Sequence, residues 1–114
     1  MTTIVFFRNR KSGSLLGFEA TGHAGYADAG MDIVCAEISA LTQATLNGLK
    51  NVLGAPVIYD VDPEEALVTA RLMPEATQDQ ENGAQLLLQT LLEALQAIQR
   101  DFPRNVRIIF KEWR

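Results

Sequence analysis

His23 and Cys35 are the single histidine and the single cysteine of a 114-residue chain, and they stand twelve positions apart. A thiolate is a strong nucleophile, and an imidazole beside it can share or take its proton, which is the chemistry of acyl transfer. Asp32 reads as the cap of a helix, because its carboxylate can accept a bond from an otherwise unpaired first-turn N–H. That reading puts Cys35 in the first turn, where free N–H groups and the positive end of the helix dipole favour a thiolate. The same N–H groups would stabilise the oxyanion of an attacked carbonyl. Nucleophile, base and oxyanion site then fall within thirteen residues. Spacing alone does not say whether the side chains meet.

Each of these residues also has an ordinary reading. A lone cysteine in a short domain is usually a small buried hydrophobe. A lone histidine at a strand end is more often a surface or hydrogen-bonded residue than a catalyst. Asp32 reads first as a structural cap and only second as a third catalytic member. What lifts the pair above these readings is the coincidence of sole His, sole Cys, loop and helix start. Other chemistries fare worse. A structural zinc site wants four Cys or His ligands, and the chain has two such residues. A redox sensor needs a resolving cysteine, which is lacking. Gly22-x-x-Gly25 has neither a phosphate-binding lysine nor the full dinucleotide spacing. A serine triad would have to draw on unremarkable serines, and no pair of carboxylates is singled out for glycosidase work.

The elements that must position the pair follow from the pattern. Residues 3–9 and 15–21 read as two strands joined by the polar link Asn9-Arg10-Lys11-Ser12-Gly13-Ser14. The stretch from Gly22 to Met31 holds three glycines and no apolar periodicity, so it reads as a loop. Ile38, Leu41, Thr45, Leu49 and Val52 then recur at helical spacing, widened by Leu46 and Leu53, until Gly54-Ala55-Pro56 stops the helix. Val57–Val61 and Leu67–Leu72 are strands around Asp62-Pro63-Glu64-Glu65. A second helix covers about Gln80 to Arg100, its apolar face being Ala84, Leu87, Leu88, Leu91, Leu92, Leu95 and Ile98. Asp101-Phe102-Pro103 ends it, and Val106–Phe110 gives a last strand with Val106, Ile108 and Phe110 on one face. The order ββαββαβ predicts an α+β two-layer sandwich, an antiparallel or mixed sheet with both helices on one face. Phe102 and Trp113 fit either a subunit interface or the edge of the core.

Length and composition bound the rest. The chain fits one domain, residues 1–114, with one core and an active site on its rim. With 47% hydrophobic and 21% charged residues it is of globular composition, which sets disorder aside. The net charge is −4 and the basic residues form no long run, which argues against nucleic acid and, weakly, for a basic protein partner. One cysteine allows no internal disulfide, so a reducing, cytoplasmic setting is expected. The first residues enter an alternating pattern without the apolar stretch of a signal peptide. No window reaches the roughly twenty apolar residues needed to cross a bilayer.

The strings Gly22-His23-Ala24-Gly25-Tyr26-Ala27 and Gly30-Met31-Asp32-Ile33-Val34-Cys35-Ala36-Glu37-Ile38-Ser39-Ala40-Leu41 resemble the signature of the ribosomal-processing cysteine protease family, Prp. The family's G-H-A, then D-I-V-C-A, then a serine four residues past the cysteine are closely matched, and length and element order agree along the chain. The resemblance implies that Cys35 is the nucleophile and His23 the catalytic histidine. It implies that Gly22, Gly25 and Gly30 belong to a flexible loop that covers the active site when substrate binds. Asp32 matches the motif's aspartate, with capping or loop anchoring as its first role. Ser39 matches its serine, which either packs near the site or bonds back to the helix backbone.

By the same resemblance the protein is a homodimer that needs no metal or organic cofactor. It removes a short N-terminal extension from a large-subunit ribosomal protein, gripping an extended, largely apolar peptide with an aromatic pair near the cleavage point. Glu37 departs from the family, which usually has a small residue there. It either opposes the thiolate or, as two positions past Cys35 on a helix favours, points to solvent. The alternative function is a non-catalytic peptide-binding or ribosome-assembly module on the same fold. A further alternative uses the same dyad on another acyl substrate.

Overall fold

The computed structural model describes residues 1–22, 29–63 and 67–114, with the backbone alone at 29–32. His23, Ala24, Gly25, Tyr26, Ala27 and Asp28, and with them the loop reading, lie outside the described residues, as do Glu64 and Glu65 of the expected turn. The elements are β1 (Thr2–Arg8), β2 (Leu15–Gly22), α1 (Ala29–Asn47), β3 (Val57–Asp62), β4 (Leu67–Leu72), α2 (Gln78–Asp101) and β5 (Val106–Glu112). This is the expected ββαββαβ order.

The first hairpin is set by side-chain chemistry in its link. Asn9 Oδ1 accepts from the N–H groups of Lys11 at 2.9 Å and Ser12 at 3.0 Å, an Asx turn. Gly13 takes φ +74°, a conformation that β-carbons disfavour. The strands order as β3-β4-β2-β1-β5. All neighbours are antiparallel except β1 and β5, which run parallel. The sheet is therefore mixed. Strand alternation separates its faces. Ile4, Phe6, Phe18, Ala20, Val68, Ala70, Leu72 and Val106 form one core with Val34, Ile38, Leu46 and Leu49 and with Ala84, Leu88, Leu91 and Leu95 of α2. Both helices thus cover one face. On the other face Val5, Phe7 and Leu16 pack with Ile109 and Trp113, and the Arg71 guanidinium lies 4.0 Å from the centre of the Phe7 ring.

Three expectations change. Helix α1 begins at Ala29, three residues before Asp32, so Asp32 lies inside the helix and is not its cap, and Gly30 belongs to the helix and not to a loop. The α-helix ends at Asn47 and the chain continues through one π-helical turn, Gly48–Val52. That turn breaks the 3.6-residue periodicity, and Val52, assigned to the apolar stripe, stands 87% exposed. Gly22 is the last residue of β2. The stop at Gly54 holds, with φ +66° and the Ala55 N–H donating to Leu49 O at 2.9 Å. Phe102 and Trp113 both pack at core edges.

Helix α2 opens with a capping box. Thr77 Oγ1 accepts from the Gln80 N–H at 3.2 Å while Gln80 Oε1 accepts from the Thr77 N–H at 2.9 Å. Thr77→Ala should lower stability by about 1 kcal/mol in urea unfolding. A heavier penalty is expected at Gly17, where an added methyl would overlap the Ala70 carbonyl oxygen and stand 2.8 Å from Arg71 Cα. Gly17→Ala should cost at least ~2 kcal/mol by the same measurement.

Candidate active site

Cys35 is half-buried and sits at the seventh residue of α1. Its direction follows from its neighbours. Val34 is fully buried and Ile38 is 3% exposed, so these two fix the rotation of the helix against the sheet. Successive helical residues turn by about 100°, which brings Cys35 to the margin of the buried stripe. Cys35, Ile38, Ser39, Thr42 and Gln43 then share one side of α1, at the i, i+3, i+4, i+7, i+8 spacing. That side forms one wall of a cleft of about 310 Å³. Thr2, Ala20 and Gly22 provide its floor, and Val61, Asp62, Pro63, Leu67 and Val68 the opposite lip.

These pieces meet because four strand ends coincide. Thr2, the first residue of β1, pairs with Gly22, the last of β2. Thr21 pairs with Leu67 at the start of β4, and Leu67 with Asp62 at the end of β3. The cleft is the space between this row and the N-terminal half of α1. Its lining is mainly apolar, with Thr2, Ser39, Thr42, Gln43 and Asp62 contributing polar groups. That chemistry suits an apolar side chain of an extended peptide better than a charged metabolite.

At the floor, Thr2 Oγ1 stands 3.8 Å from Cys35 Sγ, within hydrogen-bond reach of sulfur. Thr2 is only 5% exposed. Sequence reasoning passed over it, since a threonine in a strand carries no signal of its own. The expected source of thiolate stabilisation is corrected at the same time. Cys35 is on the second turn of α1, where backbone N–H groups are engaged within the helix, and the unpaired ones belong to the first four residues. The dipole's influence fades within that first turn. First-turn N–H groups therefore do not form an oxyanion site at Cys35.

The remaining site candidates separate cleanly. Ser39 lines the cleft, and its hydroxyl accepts from Gln43 Nε2 at 2.8 Å rather than bonding to the helix backbone. Glu37 is exposed and does not line the cleft, in keeping with a solvent-facing position. His23 and Gly25 lie outside the described residues, while Gly22, the residue before His23, lines the cleft with Cys35. Among the described residues no three His, Cys, Asp or Glu side chains gather where they could hold a metal ion.

Residues 1–107 match the family described as cysteine protease Prp. The chain belongs to that family. The ribosomal processing cysteine protease Prp of Bacillus subtilis is 29% identical to it over 94 residues, 82% of this chain and 84% of its own. The crystal structure of S. aureus Prp with a substrate peptide superposes with a TM-score of 0.83 at 27% identity, covering 97% of this chain and 100% of that one. The same S. aureus protease with a covalently linked product peptide gives 0.79 at 28% identity, again over 97% and 100%. As a Prp the chain is a cysteine endopeptidase, a hydrolase, and its two-layer α+β fold is the Prp fold.

A charge placed in the apolar lip tests the cleft as a peptide site. Val61 is 40% exposed on β3, so Val61→Asp should leave stability within about 1 kcal/mol. The same change should raise KM for an apolar peptide roughly tenfold, read from initial rates, because a carboxylate must be desolvated to seat that peptide.

Proposed function

We propose that this Prp removes the N-terminal extension of a large-subunit ribosomal protein, with Cys35 as nucleophile and His23 as its acid–base partner. The single observation that carries the reading is the apolar cleft that contains the chain's only thiol and is floored by Gly22, the residue before His23. The names of its relatives supply the substrate class, and the S. aureus complexes support peptide binding and a covalent step.

The Cys35 thiolate attacks the scissile carbonyl carbon, and the C–N bond breaks as the His23 imidazolium gives its proton to the leaving amine. The product is a thioester on Cys35. Water attacks that thioester while His23 takes its proton, releasing the acid and restoring the thiolate. Substrate enters extended, with the aromatic pair near its cleavage point against the apolar lining. The acidic surplus of the chain, net −4, suits the basic body of a ribosomal protein. No metal or organic cofactor enters this scheme. The family resemblance further supports a cytoplasmic homodimer.

Intact-mass spectrometry tests the assignment directly. Incubation of the extended ribosomal protein with this chain should release one discrete N-terminal fragment. Cys35→Ala should release none, and His23→Ala should slow cleavage at least ~10³-fold while leaving a thiol that iodoacetamide still labels. Cleavage by Cys35→Ala at the wild-type rate would overturn the nucleophile. An uncleaved substrate that nevertheless co-purifies with the folded protein would favour a binding or ribosome-assembly module.

A further inference from the structure

We infer that Thr2 is a positioning residue for the Cys35 sulfur, its hydroxyl donating a hydrogen bond to the thiolate on the floor of the cleft. The inference rests on the reading of Cys35 as the nucleophile. Three independent features of the fold converge on it. Thr2 Oγ1 lies 3.8 Å from Cys35 Sγ, across 33 residues of sequence, so the contact is made by tertiary packing alone. The backbone that carries the hydroxyl is fixed on both sides. Thr2 N–H donates to Asn105 O at 2.9 Å, and Thr2 is in register with Gly22 on one side and Val106 on the other. The third feature is the glycine opposite. A β-carbon at Gly22 would stand 2.7 Å from Thr2 Oγ1 and 2.8 Å from Thr2 Cα, too close for either to stay in place. The absent side chain at position 22 is therefore the space in which the Thr2 side chain sits.

The chemistry gives the bond one direction in the active state. Between two neutral groups either the hydroxyl or the thiol can donate, but a thiolate has no proton, so only Thr2 can. A hydrogen bond to an ionised acceptor is among the stronger kinds, and Thr2 is 5% exposed, where water competes little. The Cys35 backbone amide is not such a donor, because it lies beyond the first turn of α1 and is engaged within the helix. The bond thus does two things. It favours the ionised sulfur, and it fixes the sulfur toward the floor of the cleft, limiting the directions from which a carbonyl can be attacked.

Thr2→Val removes the hydroxyl and keeps the shape, whereas Thr2→Ser keeps the hydroxyl. The rate of iodoacetamide alkylation of Cys35 is followed against pH in each, with unfolding midpoints measured alongside. In Thr2→Val the profile should shift so that alkylation near neutral pH is slower, and peptide cleavage there should fall roughly tenfold, in kcat more than in KM. Thr2→Ser should restore most of both. An unshifted profile in Thr2→Val would overturn the proposal, as would equal shifts in the valine and serine variants, which would mean packing alone. If Thr2→Val does not fold, Thr2→Ala, which also lacks the hydroxyl, must show the same shift. Alkylation needs no peptide, so a shifted profile in a protein that cleaves nothing supports Thr2 and sinks the peptidase reading. Cleavage with an unshifted profile does the reverse.

Discussion

Burial of Val34 and Ile38 against the sheet fixes the rotation of α1, and the geometry of the cleft depends on that contact. These residues are 0% and 3% exposed, so turning the helix to aim Cys35 elsewhere would expose apolar surface. At about 25 cal/mol per Å² such exposure costs on the order of 2 kcal/mol for each side chain. The sulfur therefore rides on the core. Ile38 serves both purposes, since it belongs to the core and also lines the cleft.

The sheet supplies the second half of the arrangement. Parallel pairing of β5 with β1 and antiparallel pairing of β2 with β1 place Val106 and Gly22 on either side of Thr2. A one-residue slip would turn Ile4 and Phe6, both fully buried, toward the opposite face. Core packing thus enforces the register, and the register sets Thr2 beneath the helix. Among the described residues no helix covers the opposite face of the sheet. There the Arg71 guanidinium lies 4.0 Å from the centre of the Phe7 ring and 5.3 Å from that of Trp113. Aliphatic and cationic cover of this kind keeps aromatic surface from water without a further layer of structure.

Much of the scaffold was legible in the chain. Helix α2 announced itself through Ala84, Leu88, Leu91 and Leu95, all buried in the fold, because an amphipathic stripe has one energetically reasonable placement. Turn chemistry at Asn9 and Gly13 and the stop at Gly54 were equally local, and so equally readable. The errors gathered where local signals compete. Asp32 looks like a cap, yet α1 runs back to Ala29. Capping is a preference worth about 1 kcal/mol, which tertiary packing readily overrides. At the other end, a π-turn shifted the phase of the helix and left Val52 in solvent, a local change of winding that hydrophobic spacing does not encode.

By itself the sequence determined the element order, the apolar faces, the paired singularity of His23 and Cys35, and a motif specific enough to point to the family. All of these are carried by residue type and short spacing. Tertiary structure decided that four strand ends meet beneath α1 and that the resulting cleft is mostly apolar. It also placed a hydroxyl from residue 2 at the sulfur of residue 35. Such contacts depend on register and helix rotation, which are set by burial summed over the whole core. No short stretch of residues contains that sum.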